Sequence, residues 1–187
     1  ATIVVLVDAP TMILVGSKPT VAVSSTNISG LNLGAENKIG EITVSADTKG
    51  NIKLNDIKFA VSNVGFTTVP TFTLARIADG STTIAGSSCG QGAAAAASQT
   101  IFCEFGTVGN VFTTTTGTAN VEANDDFDGY TISAGGTKTF SLYATVAAAN
   151  TGTNIASINT SLVAAGFNWD DASTAVFAGD GVTASPS

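Results

Sequence analysis

Residues 38–63 read KIGEITVSADTKGNIKLNDIKFAVSN, and the reading of this stretch decides the fold. Ile42, Val44 and Ala46 alternate with Thr43 and Ser45, a period of two that gives an extended strand one apolar face and one hydroxyl face. Asp47-Thr48-Lys49-Gly50 is a turn signal, and Ile52 and Leu54 open a returning strand, so a β-hairpin is expected. Beyond Leu54 the apolar phase changes from even positions to odd ones, Ile57, Phe59 and Val61. One residue must be absorbed near Asn55 and Asp56, which predicts a bulge or bend there and allows the strand to pass between sheets.

The same alternation returns at Thr137 to Ala147, with Phe140, Leu142, Ala144 and Val146 on one face and Lys138, Thr139, Ser141, Tyr143 and Thr145 on the other. Further β-rich segments are Met12 to Val15, Thr20 to Ser24, Pro70 to Ile77, Thr82 to Ala85, Thr100 to Phe105, Val108 to Thr115, Tyr130 to Ile132, Asn154 to Val163 and Ala175 to Phe177. Turn residues separate them and no helix competes. The expectation is an all-β chain, an Ig-like or jelly-roll antiparallel β-sandwich of about ten strands in a single domain.

Ahead of that domain (9–187) stands the run Ala1-Thr2-Ile3-Val4-Val5-Leu6-Val7, stopped by Asp8-Ala9-Pro10. Its odd side chains (Ile3, Val5, Val7) and its even ones (Val4, Leu6) are all apolar, so both faces of such a strand require burial. It is either a central strand of its own domain or a strand given to a neighbour, where main-chain hydrogen bonds supply affinity and alternate side chains fill a groove. Residues 1–8 are accordingly expected to be a donor strand. With no initiator Met and no charged segment before the apolar start, a signal peptide is expected to have been removed and the chain exported.

At 187 residues, 44% of them hydrophobic, the chain can bury a real core, and disorder is not expected. Charged residues are 11% against roughly 25% in average soluble domains, their place taken by Thr, Ser, Ala, Gly and Asn. A weakly charged, hydroxyl-rich surface loses little charge solvation when packed against another copy. The net charge of −7 argues against nucleic acid as a partner, and no apolar run is long enough to span a membrane. Cys89 and Cys103, the only cysteines, are expected to form a disulfide that pins a Gly- and Ala-rich stretch, contributing about 3 kcal/mol in the chain-entropy model.

Catalysis has little to stand on. Without histidine there is no Ser-His-Asp or Cys-His arrangement, and no glycine-rich loop carries the Lys-Ser/Thr that cradles phosphate. Gly90-Gln91-Gly92-Ala93-Ala94-Ala95 matches a dinucleotide fingerprint in form, but lacks the strand-helix context and reads as a flexible loop. Paired carboxylates could come from Asp170, Asp171 or Asp125, yet a glycosidase cleft also needs aromatic platforms that are scarce here. The chain is not expected to be an enzyme.

Asn124, Asp126 and Asp128, followed by Gly129, resemble the opening half of a calcium loop, though Gly135 stands where its closing glutamate belongs. Calcium is the one cofactor they suggest, against a solvated turn whose side chains bond local amides. Trp169 between Asn168 and Asp170 is either a core anchor or, with Tyr130 and Tyr143, a platform for sugar rings. Asn27 and Asn159 head N-glycosylation sequons, Thr113 to Thr116 is a hydroxyl run suited to O-linked sugar, and Lys53 or Lys58 beside an Asn and a buried carboxylate would permit an isopeptide bond.

KIGEITVSADTKGNIKLNDIKFAVSN together with GGTKTFSLYATVA (135–147) resembles the Ser/Thr-rich immunoglobulin-like domains of prokaryotic secreted surface proteins and filament subunits. Among these, donor-strand pili, including archaeal bundling pili and TasA-like fibres, are the class that the amino-terminal run brings closest. A type IV pilin does not fit, because Pro10 interrupts the apolar start. The resemblance implies a structural subunit of an extracellular, pilus-like filament, a helical homopolymer joined by donor-strand addition at the cell surface. The alternatives are a carbohydrate-binding or adhesive surface domain and a surface-layer lattice subunit.

Overall fold

A computed structural model describes residues 16–24, 27–92, 98–105, 129–148, 156–171 and 182–183. The chain is all-β, two antiparallel sheets packed face to face as a sandwich. Sheet A has the order β1-β3-β10-β5-β6, formed by β1 (Pro19–Ser24), β3 (Glu36–Ala46), β10 (Thr137–Ala147), β5 (Thr71–Asp79) and β6 (Thr82–Thr83). Sheet B runs β12-β11-β4-β8-β7, formed by β12 (Val182–Thr183), β11 (Ser157–Asp170), β4 (Ile52–Val64), β8 (Ser98–Glu104) and β7 (Ser88–Gln91). Two short strands complete it, β2 (Asn27–Ser29) beside β11 and β9 (Tyr130–Ile132) beside β4.

The alternating segments at 38–63 and 137–147 form strands as expected, but β3 and β4 are not a hairpin. They lie in opposite sheets, β3 between β1 and β10 and β4 between β11 and its partners β8 and β9. Alternation alone cannot separate a hairpin from an arch, since both need one apolar face turned to the core. Here the Asp47–Gly50 corner is bonded outward: Gly135 N donates to the Asp47 carbonyl at 3.0 Å and Ala46 N to the Gly136 carbonyl at 2.9 Å. These bonds tie the corner to the turn before β10, so the chain leaves sheet A and enters sheet B.

The phase change in β4 is a bulge at the expected place. Asn168 pairs with Asp56 and Trp169 with Leu54, which leaves Asn55 without a ladder partner on β11, and its carbonyl accepts the Phe105 amide at 2.8 Å. The strand stays in sheet B. What changes there is its neighbour on the other side, β9 before the bulge and β8 after it.

Asp56 sits at this bulge, partly buried, and burial pushes its carboxyl above the usual range although Asn168 Nδ2 donates to it at 3.0 Å. A carboxyl raised on folding binds its proton more tightly in the native state, so its contribution to stability declines as pH climbs from the ordinary carboxylate range through the raised value. Asp56→Asn keeps an acceptor for Asn168 and removes the partly buried charge. We expect a higher melting temperature than the parent at pH 7, and a difference between the two that shrinks as pH falls to 3, in thermal scans of both proteins.

Between the sheets lies one core built from the alternating positions, including Ile42, Val44, Leu54, Phe59, Val61, Ile101, Phe140, Leu142, Ile158 and Phe167. Trp169 belongs to it, 3% exposed. Ile39 forms a second bulge, the extra residue between the pairs Leu142–Gly40 and Tyr143–Lys38. Its carbonyl accepts the hydroxyl of the buried Thr160, reaching across from β11. Gly40 makes room for this crossing, because a Cβ there would lie 2.9 Å from Thr160 Cγ2. Thr160→Val preserves the volume and orphans the carbonyl, and should cost about 1–3 kcal/mol in denaturant titrations.

Candidate assembly edges

A sandwich that joins other copies through strands must do so at a sheet edge, because only there are backbone donors and acceptors unpaired. On sheet A the far side is β5, and it is blunted three times. The β6 hairpin pairs with Ala78 and Asp79. Leu74 and Ala75 together oppose Ala144, a bulge in which Leu74 takes a φ of 52° and is 81% exposed. Phe72 N, finally, donates to the Gln91 side chain at 2.8 Å.

The outer side of sheet B is also broken. On β11, β2 pairs with Ser157 to Asn159 and β12 with Asn168 and Trp169. Between these, residues 163–166 bulge away, all opposing Lys58 alone. At the other margin β7 closes the side of the sandwich against β5 and is bound to β8 by the Cys89–Cys103 disulfide, with Cα atoms 4.1 Å apart. The disulfide is thus a cross-strand clip, and Gly90 and Gln91 are strand residues rather than a loop.

β1 carries none of these devices. It pairs with β3 through six consecutive positions without a register shift, and its sequence PTVAVS holds no charge. Val21 and Val23 stand opposite Val44 and Ile42, both fully buried, yet Val21 is 9% exposed and Val23 40%. The inward face of the strand therefore opens to solvent towards Ser24. Among the described residues no strand pairs with the outer edge of β1. Ahead of it Gly16 N donates to Asp171 Oδ2 at 2.8 Å, which ties the approach to β1 to the end of β11.

The donor-strand residues Ile3, Val4, Val5, Leu6 and Val7 and the calcium candidates Asn124, Asp126 and Asp128 lie outside the described residues, as do Thr113 to Thr116, Asp125 and the segments 12–15, 108–115 and 175–177. Among the described residues no cluster of ligands is assembled for a metal, and no helix is long and apolar enough to cross a membrane. Asn159 is exposed on β11 and pairs with Asn27, so the two sequon asparagines share one rung of the ladder.

The aromatic trio does not form a platform. Trp169 is in the core, Tyr130 packs edge-on against Phe140 at 5.2 Å between centroids, and Arg76 covers Tyr143 at 4.2 Å from its centroid. Lys138 Nζ and Tyr130 Oη both donate to Asp79, at 2.6 and 3.1 Å, and the lysine's hydrogen bond chiefly holds the Asp79 carboxyl below its usual range. That group stands on the inward side of sheet A, Asp79 opposite Phe140 and Lys138 opposite Val44, whereas on the outer face the guanidinium of Arg76 grips Glu36 through Nε and Nη2 at 2.7 and 2.8 Å. Lys58 Nζ lies 4.7 Å from the Phe102 ring centroid, while the partly buried carboxyl of Asp56 takes its hydrogen bond from Asn168.

β7 carries no alternating pattern in its sequence, and its one mark there is Cys89, which stands directly opposite Cys103 on β8. No known protein family matches this chain, no curated protein is similar to it, and no solved structure matches its fold.

Proposed function

We propose that the protein is a structural subunit of an extracellular filament, in which residues Ala1 to Val7 of one copy add as a strand to the outer edge of β1 in the next. The observation that carries this reading is the contrast among edges: β5 and β11 are bulged or capped, β7 is clipped, and β1 is straight, uncharged and open at Val23. Proteins that do not associate blunt such an edge with charge, proline or a bulge. The only device of that kind on β1 is Pro19 at its first position, where proline costs least.

The apolar run suits the edge. Five residues, Ile3 to Val7, match a six-residue partner strand, and neither carries a charged side chain. Residues 1–15 extended span about 50 Å, enough to reach a neighbouring sandwich. Such a contact uses different surfaces on the two partners and does not close on itself, so it propagates as a fibre. The disulfide fits an oxidising compartment, consistent with export.

Negative-stain micrographs of the secreted protein should show fibres, and the Val4→Asp/Val5→Asp variant should run as a soluble monomer near 18.6 kDa on size exclusion. Both faces of the arm are hit, so the result does not depend on which phase enters the groove. If that variant forms fibres like the parent, the arm is not the connector.

A further inference from the structure

The sandwich holds a second pairing edge in reserve. β8 pairs with β4 through seven consecutive positions, Ser98 to Glu104, with no register shift. Its sequence SQTIFCE has no proline and a single charge, at the end. Short segments of this kind are the ones that template intermolecular pairing when their edge is bare. Among the described residues that edge is covered by β7, four residues long and reading Ser-Cys-Gly-Gln, and by Gly92 N donating to the Thr100 carbonyl at 2.8 Å, with little apolar surface to hold them down.

Two latches keep β7 in place. One is covalent, Cys89 to Cys103. The other is a chain of amides: Gln91 accepts from Phe72 N on β5 and donates to Gln99, which is 1% exposed and donates in turn to the Pro70 carbonyl. Through these bonds the far end of β7 is tied to sheet A as well as to β8.

We propose that the Cys89–Cys103 disulfide is a redox lock on the outer edge of β8, and that opening it lets β8 pair antiparallel with β8 of a second copy. A dithiol reductant attacks the sulfur of Cys89, the partly exposed member, and the buried Cys103 sulfur leaves as thiolate. The second thiolate of the reductant then attacks the reductant's own sulfur in the mixed disulfide and expels Cys89 as thiolate; the two protein thiolates take up the protons given up by the reductant's two thiols, and the reductant departs as a cyclic disulfide. The entropy that closed the Cys89–Cys103 loop is returned to β7, which then frays from its neighbours.

The test uses the Val4→Asp/Val5→Asp chain, so that donation by the amino-terminal arm does not contribute and the result is independent of the filament reading. Its folded, oxidised and dithiothreitol-reduced forms are compared by amide exchange and sedimentation velocity. Reduction should raise exchange in residues 88–92 and 98–104 by about tenfold or more, leave β3 and β10 protected and convert monomer to dimer reversibly on reoxidation. Gln91→Ala in the oxidised form should expose the Phe72 amide to exchange while the protein stays monomeric. A reduced protein that keeps β7 protected and remains monomeric overturns the lock. So does one that loses β3 and β10 protection along with β7, since the disulfide is then a staple for the whole fold.

Discussion

Mixed in equal amounts, a Val23→Lys subunit and a Val4→Asp/Val5→Asp subunit should give a one-to-one dimer and nothing longer, although each alone stays monomeric. The lysine variant keeps its arm and loses its accepting edge, because an inward-pointing charge on an edge strand blocks a further strand. The aspartate variant keeps the edge and loses the arm. One donor then meets one acceptor, and the chain of donation ends there. Val23 is 40% exposed, so the lysine can carry its ammonium to solvent at a stability cost of about 1 kcal/mol or less. Sedimentation velocity on the two variants and their mixture reads this directly. Fibres from Val23→Lys alone would place the acceptor elsewhere.

Phe140→Ala should be the most damaging single truncation in the sandwich, costing about 3–5 kcal/mol. Phe140 is fully buried on β10 and is the meeting point of the aromatic group, 5.6 Å from Phe105 and 5.2 Å from Tyr130 between ring centroids. Removing it leaves a cavity between the sheets and withdraws the ring against which Tyr130 is set, so the Tyr130 to Asp79 hydrogen bond loosens with it. Urea titration followed through Trp169 fluorescence checks the magnitude, since Trp169 lies in the same core and reports its collapse. A loss under 1 kcal/mol would mean that the site closes over the missing ring.

Alternation made most of the architecture legible. β10 appears over the expected span, Thr137–Ala147, because Phe140, Leu142, Ala144 and Val146 share one face and hydroxyls line the other, with Thr43–Thr139 and Ser45–Thr137 bonded across the strands at 3.0 and 2.8 Å; Lys138, expected on the hydroxyl face, instead falls on the inward side opposite Val44. The change of phase at Asn55 announced a bulge because a shift of one residue moves every side chain to the other face. Pairing partners were not legible. The arch at Asp47–Gly50 looked like a hairpin because the bonds that distinguish them come from Gly135 and Gly136, far along the chain. β11 was expected to stop at Val163, since the bulge at 163–166 hides the continuity from Leu162 to Phe167 and Trp169. β7 is not legible in sequence, because Ser-Cys-Gly-Gln has no β-pattern of its own and is held by its clip and its glutamine.

The candidate site divided along the same line. The arm was visible as composition, two apolar faces on one short strand, whereas the edge that suits it could not be seen until β1 was known to be terminal in its sheet and unshifted against β3. Charge scarcity points the same way from sequence and structure. The ion pairs Arg76–Glu36, Lys38–Glu41 and Lys138–Asp79 all lie on residues of sheet A strands, and they leave β1 neutral.

The central claim is tested most directly by cysteine pairing across the proposed contact. A Val5→Cys/Ala22→Cys chain, assembled and then oxidised, should give a ladder of covalent multimers on denaturing gels that collapses to monomer on reduction. A single fast-migrating monomer would show the arm lying on its own β1, and no cross-link in assembled fibres would show that it never reaches that edge; either result contradicts strand donation into β1.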